Sequence, residues 1–242
     1  MKKRVYFTGL FAVGMSLFLN GCAILSETNT IWGTGHSEST LKMQGIEKQS
    51  EPMYTDDELL ILVNADHPVP EEWDCELVEL RNDQKIDARA YEDLQAMMDD
   101  ARAEGLEPLI CSSWRSSEFQ EELFEEEVEK YISQGYTEDR SKKLAAEWVA
   151  MPGTSEHELG LAVDIVSVDN QRLEKNQEDT PEQQWLMEHC HEYGFILRYP
   201  EDKEEITGIG YEPWHYRYVG KEAAKAIMAQ GVCLEEYLAN EP

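Results

Sequence analysis

The order of its apolar segments is the feature that most constrains the fold of this 242-residue chain. Short runs with strand character span residues 59–63, 108–111, 161–166, 195–199 and 211–219. Segments with helical patterning span residues 87–104, 119–132, 141–149, 180–193 and 221–229. The two kinds are mixed without the regular strand–helix–strand alternation of a parallel sheet. We therefore predict an α+β fold in which a small, mainly antiparallel sheet is flanked by helices.

The N-terminus has the layout of a secretory signal. A basic start at residues 2–4 precedes a largely apolar run at residues 5–19, which is shorter than the roughly 20 residues that span a bilayer. The run closes on Leu-Asn-Gly-Cys, which resembles the bacterial lipobox. We predict that residues 1–21 are a signal peptide and that Cys22 is lipidated, which would anchor an extracytoplasmic lipoprotein to the cell membrane. An uncleaved short anchor, or secretion with Cys22 incidental, would also place the domain outside the cytoplasm.

The rest of the chain divides by composition. Residues 22–52 are polar and rich in Ser, Thr, Gly and Gln, which predicts a flexible tether before a single domain at residues 53–242. Lys and Arg number 21 against 50 Asp and Glu, a formal net charge of -29. So acidic a surface repels nucleic-acid phosphates and anionic headgroups. We expect no nucleic-acid partner, no membrane contact beyond the lipid anchor, and a monomer.

Five cysteines are too few to build a disulfide scaffold in a chain of this length. Four of them lie in the domain, and they could pair in three ways or stay as buried thiols. These four are Cys75, Cys111, Cys190 and Cys233. Nothing in the sequence marks a histidine partner for Cys111, so we interpret it as a buried thiol and not as a nucleophile.

Two short segments carry the residue types of a catalytic metal site. Residues 155–164 read Ser-Glu-His-Glu-Leu-Gly-Leu-Ala-Val-Asp, and residues 212–215 read Glu-Pro-Trp-His. His157, Asp164 and His215 offer two imidazoles and one carboxylate. Catalytic zinc sites use three protein ligands of these types and keep a fourth position for water.

Strict alternation along a strand would prevent Glu212 and His215 from pointing into one pocket. Pro213 lies between them, and proline is tolerated at strand edges and bulges. A local irregularity there would allow both side chains to reach the same site.

The two segments in this order resemble the LAS metallopeptidases, and specifically the VanY-type D-alanyl-D-alanine carboxypeptidases. The resemblance covers residues 59–238, nearly the whole domain. Further matching blocks lie at residues 112–116, 152–157, 194–200, 207–209, 211–220 and 233–238. The resemblance implies a Zn²⁺-dependent enzyme that removes the terminal D-alanine from the stem peptides of cell-wall peptidoglycan.

The same resemblance implies a role for each central motif residue. His157, Asp164 and His215 match the zinc ligands. Glu212 matches the catalytic base, which would take a proton from the attacking water and pass it to the leaving nitrogen. Arg115 matches the arginine that steadies the scissile carbonyl.

Three further residues are expected at the substrate. Ser155 and Gln120 match polar groups near the terminal carboxylate or backbone of the peptide. Trp214, inside the second motif, is a further candidate for substrate contact. Relatives often carry Gly-Tyr where this chain has Ser113-Trp114, which indicates a changed pocket shape and the same chemistry.

The residues leave several alternatives open. A D,D-carboxypeptidase would act on stem pentapeptides, whereas an L,D-carboxypeptidase would act on tetrapeptides, and both occur among relatives with this motif. A zinc-bearing binding module without turnover is a third hypothesis, although it could dispense with Glu212 and Arg115. Two histidines and one aspartate could also hold other divalent ions. No residue separates roles in resistance, wall remodelling or germination.

Overall fold

Two antiparallel sheets organise the computed structural model, which describes residues 56–240 of the chain. The strands are β1 (Leu77–Glu79), β2 (Lys85–Asp87), β3 (Pro108–Ser112), β4 (Ala162–Ser167), β5 (Phe195–Leu197) and β6 (His215–Tyr218). β1 pairs with β2, and the other four form a sheet in the order β3-β4-β6-β5 with every pairing antiparallel. The predicted α+β class with a small, mainly antiparallel sheet is confirmed.

Helices surround these sheets. They are α1 (Asp56–Leu59), α2 (Ala88–Ala103), α3 (Ser117–Ser133), α4 (Glu138–Ala145), α5 (Pro181–His189), α6 (Glu204–Thr207), α7 (Lys221–Gln230) and α8 (Leu234–Asn240). Short 3-10 turns span Arg81–Asp83, Glu156–Leu159, Lys175–Asp179 and Cys190–Tyr193. The helix predicted at residues 180–193 is α5 followed by the last of these turns, and Gly194 ends it at φ 84°. In the part of the chain that the structure describes, no helix is long and apolar enough to cross a membrane.

The four-stranded sheet has one apolar face and an opposite, mixed face, called here the polar face, which carries Asp164, His215 and Arg217 beside the apolar Val166 and Ile196. Val163 and Ile165 of β4, with Tyr216 of β6, belong to the main hydrophobic cluster, which also contains side chains of α2 and α5. Side chains alternate along a strand, so Asp164 and His215 point to the opposite face. This alternation separates the core from the face that carries the polar residues.

Two expected strands differ from the structure. Residues 59–63 were expected to be a strand, but the chain ends α1 at Leu59 and then runs irregularly. The carbonyl oxygens of Leu59 and Ile61 each accept a hydrogen bond of 2.9 Å from Arg217 Nη2, so a side chain satisfies backbone groups that a strand ladder would otherwise satisfy. The strand expected at residues 211–219 begins only at His215, because a turn precedes it.

The third expected helix is displaced toward the N-terminus. The prediction was residues 141–149, and the structure has Glu138–Ala145. Thr137 caps this helix by accepting from the Arg140 backbone N–H at 3.4 Å, a signal that apolar periodicity does not carry.

The four domain cysteines are free thiols, so the disulfide alternative is wrong for this structure. Burial raises the pKa of both Cys111 and Cys190 to about 12, which keeps these thiols protonated. The signal peptide, Cys22 and the tether lie outside the described residues, and their assignments stay predictions.

Candidate active site

Strand register brings the site together on the polar face of the sheet. Asp164 of β4 lies opposite Ser112 of β3 on one side and opposite His215 of β6 on the other. Directly opposed residues of antiparallel strands project to the same face. A carboxylate is thereby placed between a hydroxyl and an imidazole at the centre of the sheet.

His157 reaches this row from the 3-10 turn before β4. Its Nδ1 donates to the Ser113 carbonyl at 2.8 Å, which leaves Nε2 as an acceptor 3.3 Å from Asp164 Oδ2. Gly160 ends the turn at φ 76°, and a Cβ there would come within 3.2 Å of the Leu77 side chain. The turn is held by a glycine that no larger residue replaces without displacement.

His215 approaches the same carboxylate from the other side. Its Nε2 donates to Glu156 Oε2 at 3.4 Å, so Nδ1 is the nitrogen that faces Asp164 Oδ1, at 3.1 Å. Asp164 Oδ1 is nevertheless a buried oxygen without a hydrogen-bond partner. His215 Nδ1 and Asp164 Oδ1 are close but do not form a hydrogen bond, so a buried carboxylate oxygen is left unsatisfied. Burying such an oxygen costs free energy, which a bound cation would offset.

The geometry of this cluster fits a metal ion. One ligand atom each from His157, Asp164 and His215 can be chosen within 4.8 Å of the others, and all three residues are buried. Zinc bonds of about 2.0–2.1 Å place tetrahedral ligands about 3.3 Å apart. His157 Nε2 is 3.3 Å from Asp164 Oδ2, and His215 Nδ1 is 3.1 Å from Asp164 Oδ1. Each imidazole also has an acceptor on its other nitrogen, as metal-binding histidines have.

Burial and neighbouring charges shift the pKa of each of these groups. Burial, with the nearby Arg115 guanidinium, lowers the pKa of His157 to about 4. Burial alone would raise the pKa of Asp164, but the two histidine rings outweigh it and hold that pKa well below the usual value. Burial opposes protonation of His215, yet its carboxylate neighbours raise its pKa to about 9. The cluster favours an ionised Asp164.

Glu212 lies beside the cluster because the residues before β6 form a turn. The His215 backbone N–H donates to the Glu212 carbonyl at 3.2 Å, and Glu212 Oε2 is 3.8 Å from His215 Nδ1. The expected irregularity around Pro213 is therefore present. Burial raises the pKa of Glu212 to about 8, and the carboxylates of Asp164 and Glu156 add to this effect.

Arg115 stands on the other side of Asp164. Its Nη2 donates to Asp164 Oδ2 at 2.9 Å, and its Nε and Nη2 both donate to Ser112 Oγ. Nη1 donates to Gln120 Oε1 at 3.1 Å, and the Gln120 amide nitrogen donates to the Ala150 carbonyl at 2.8 Å. Gln120 is fully buried and orients Arg115.

The other expected substrate residues lie close in the chain to the cluster but have structural contacts. Ser155 is buried and forms a capping box with Glu158 at the start of the 3-10 turn that carries His157. Trp214 is buried, and its carbonyl accepts from the Ile165 backbone N–H at 2.9 Å. Substrate contact by these two residues and by Gln120 stays a prediction.

Sequence reasoning missed a group of buried charges behind His215. Glu156 Oε1 accepts from Arg198 Nε at 2.7 Å and from Arg217 Nη1 at 2.8 Å, and Arg198 also binds both carboxylate oxygens of Glu235. We call Glu156, Arg198, Arg217 and Glu235 the arginine–glutamate network. Charged residues inside otherwise apolar segments were the available signal, since both arginines are fully buried on or beside strands.

Comparison with known proteins finds carboxypeptidases similar to this chain. Residues 83–221 match the family model described as VanY, D-alanyl-D-alanine carboxypeptidase. A D-alanyl-D-alanine carboxypeptidase of Enterococcus faecalis is 46% identical over 88% of this chain and 78% of its own length. The putative carboxypeptidase YodJ of Bacillus subtilis is 38% identical over 81% of this chain and 71% of its own.

Solved structures extend the comparison. VanYB in complex with D-alanine-D-alanine is 49% identical, with a TM-score of 0.71 over 76% of this chain and 99% of that one. A mutant of the vancomycin-resistance D,D-pentapeptidase VanY in complex with Zn(II) is also 49% identical, with a TM-score of 0.68 over 74% and 98%. The LD-carboxypeptidase LdcB is 36% identical, with a TM-score of 0.67 over 77% and 88%.

The fold and these likenesses define an LAS-type carboxypeptidase domain. Within that class, the chain belongs to the VanY family.

Proposed function

We propose that this protein is a zinc-dependent D,D-carboxypeptidase that hydrolyses the terminal D-alanyl-D-alanine bond of peptidoglycan stem pentapeptides. The observation that carries the proposal is the buried cluster of His157, Asp164 and His215, whose Asp164 Oδ1 has no hydrogen-bond partner, beside the buried Glu212. The 49% identity to VanYB, solved with D-alanine-D-alanine, supports D,D specificity over the L,D specificity of the less similar LdcB.

The donor atoms suit zinc. His157 Nε2, His215 Nδ1 and an oxygen of Asp164 would hold the ion, because the other imidazole nitrogens already donate to oxygens of the protein. A zinc ion there supplies a lowered pKa of bound water, roughly 7, and polarises the scissile carbonyl.

Glu212 acts as the general base in this proposal. Its carboxylate takes a proton from the attacking water and delivers it to the leaving D-alanine nitrogen. A base works best when its pKa lies near the working pH, and burial moves the pKa of Glu212 in that direction. No serine or cysteine nucleophile is needed, in agreement with the protonated state of the Cys111 thiol.

Arg115 stabilises charge on the carbonyl oxygen. Its guanidinium is always protonated and presents donors in a fixed plane. Ser112 and Gln120 fix that plane in the structure, so little reorganisation is needed as negative charge develops.

Release of D-alanine tests the proposal directly. The domain from residue 53, loaded with zinc, is incubated with a stem pentapeptide and with a stem tetrapeptide, and free D-alanine is measured by mass spectrometry with and without chelator. We expect chelator-sensitive release from the pentapeptide. Release only from the tetrapeptide would assign an L,D-carboxypeptidase, and release unaffected by complete zinc removal would contradict the metal mechanism.

We also propose that the enzyme is an extracytoplasmic lipoprotein. The basic start, the apolar run at residues 5–19 and the lipobox-like sequence ending at Cys22 support this proposal. Mass spectrometry of the protein from the bacterial membrane should find Cys22 as a lipid-modified N-terminus. A chain that retains residues 1–21, or a mature form that begins elsewhere, would contradict it.

A further inference from the structure

A buried carboxylate lies directly behind one of the two histidines of the site. We propose that Glu156 is a positioning residue that accepts the Nε2–H of His215 and so turns His215 Nδ1 toward Asp164 and the metal. This inference rests on the zinc binding of the proposed function, and it concerns how the ligand is held.

The two oxygens of Glu156 have different partners. Oε2 accepts a hydrogen bond from His215 Nε2 at 3.4 Å. Oε1 accepts one from Arg198 Nε at 2.7 Å and one from Arg217 Nη1 at 2.8 Å. The Glu156 side chain is completely buried, and so are both arginine side chains. Because two guanidinium groups hold Oε1, the direction of Oε2 toward the imidazole is fixed.

The support of His215 differs in kind from that of His157. His157 Nδ1 donates to a neutral backbone carbonyl, that of Ser113, at 2.8 Å. A carboxylate acceptor raises the basicity of a ligating imidazole and fixes both its tautomer and its ring orientation. Glu156 therefore acts on His215 only. Because its acceptor is a side chain and not a backbone carbonyl, a substitution can remove it.

The network supplies a matched control. Glu235 binds Arg198 through two hydrogen bonds, of 2.8 and 2.6 Å, on the side away from Glu156. Glu235→Gln removes one negative charge from the same buried network without removing an acceptor of His215. Glu156→Gln removes the same charge, and because Arg198 and Arg217 both donate to the one oxygen that remains, its amide nitrogen faces His215 in place of the acceptor.

The test measures zinc affinity by competition with a chelator in the parent domain and in both variants. We expect Glu156→Gln to bind zinc about 10- to 100-fold more weakly, the usual cost of losing an outer-shell partner. We expect Glu235→Gln to keep zinc affinity near the parent value while lowering the thermal midpoint of the zinc-free protein. A role limited to fold stability would lower that midpoint in both variants and change zinc affinity in neither.

A folded Glu156→Gln variant with parental zinc affinity would overturn the inference. An equal loss of zinc affinity in Glu235→Gln would also overturn it, since network charge alone would then explain the effect. If Glu156→Gln does not fold, histidine-selective ¹⁵N NMR of the zinc-loaded parent decides the question. The inference requires a protonated Nε2 on His215, and zinc bound at that nitrogen would reject it.

The same experiment separates this inference from the proposed function. A parent domain that binds zinc and releases D-alanine, with Glu156→Gln unchanged in affinity, removes the positioning role and leaves the enzyme function standing. A parent domain that binds no zinc overturns both.

Discussion

Two groups of buried charges lie side by side in this protein, and they differ in how they are satisfied. In the arginine–glutamate network every nitrogen of the Arg198 and Arg217 guanidinium groups has a protein acceptor. In the His157–Asp164–His215 cluster, Asp164 Oδ1 has none. The first group is complete without any ligand, whereas the second has a buried carboxylate oxygen available to a cation.

This difference indicates that the arginine–glutamate network stabilises the fold, whereas the His157–Asp164–His215 cluster serves the chemistry of the site. Buried ion pairs that are fully hydrogen-bonded cost much to break, because one charge is then left without compensation. Groups with unsatisfied atoms and raised pKa values are typical of functional sites. A side-chain contact from His215 Nε2 to Glu156 Oε2 joins the two regions. We expect substitutions on either side of that contact to have different consequences.

Glu212→Gln should have the largest effect, and in the zinc-loaded protein that effect should fall on turnover and not on zinc affinity. We expect kcat to fall about 10²- to 10⁴-fold, since the base is removed, while zinc affinity stays at the parent value. D-alanine release and chelator competition provide the two measurements. Glu222→Gln, at an exposed position of α7, is the control and should leave both unchanged. Hydrolysis by Glu212→Gln at the parent rate would show that another group is the base.

Arg217→Met should have the opposite kind of effect, because it should lower the stability of the fold. It breaks the pair with Glu156 and leaves the Leu59 and Ile61 carbonyls without their donor. We expect the free energy of unfolding, from denaturant titration, to fall by about 3–5 kcal/mol with or without zinc. Lys142→Met, which removes an exposed ion pair with Glu138, is the control and should leave the free energy of unfolding almost unchanged. An Arg217 variant as stable as the parent would remove the distinction between the two regions.

Zinc should stabilise the protein through the incomplete cluster. At a free zinc concentration 100 times Kd, the free energy of unfolding should rise by about 2.7 kcal/mol. For a domain of this size, each kcal/mol raises Tm by about 2–4 °C. Asp164→Asn should abolish most of this shift in a thermal scan. A shift of the same size in that variant would place the zinc elsewhere.

A further effect concerns pH and the zinc-free protein. The pKa of Glu212 is raised from 4.5 to about 8 in the fold, so the fold favours its neutral form. Its stabilising contribution is complete below about pH 4.5 and is lost as pH rises through about 8. Thermal scans should therefore show that the Tm of zinc-free Glu212→Gln rises relative to the Tm of the parent as pH increases from 5 to 9. A difference that does not change with pH would contradict the raised pKa.

The sequence was sufficient for the parts of the molecule that follow local patterns. Helices α2 and α3 have apolar periodicity, and β4 is a continuous apolar run interrupted only by Asp164. The resemblance of the two motifs to the LAS metallopeptidases predicted which residues meet. The register of β4 and β6 brings Asp164 and His215 together, and the 3-10 turn before β4 adds His157.

The remaining parts depend on partners that are distant in the chain. Residues 59–63 have the composition of a strand, but Arg217, 158 residues beyond Leu59, supplies their hydrogen bonds. The start of β6 depends on a turn at residues 212–215 that a pattern of period two does not describe. The partners of Glu156 are not visible before these elements are assembled.

The contacts behind His215 also have a kinetic consequence. Glu156 meets Arg217 across 61 residues, and Arg217 meets Leu59 across 158. Contacts of such high sequence separation require the closure of long loops and are associated with slow folding. We expect the catalytic centre to be among the last parts of the domain to form during refolding. A partly folded chain would then contain all three proposed metal ligands and still lack the activity of the finished enzyme.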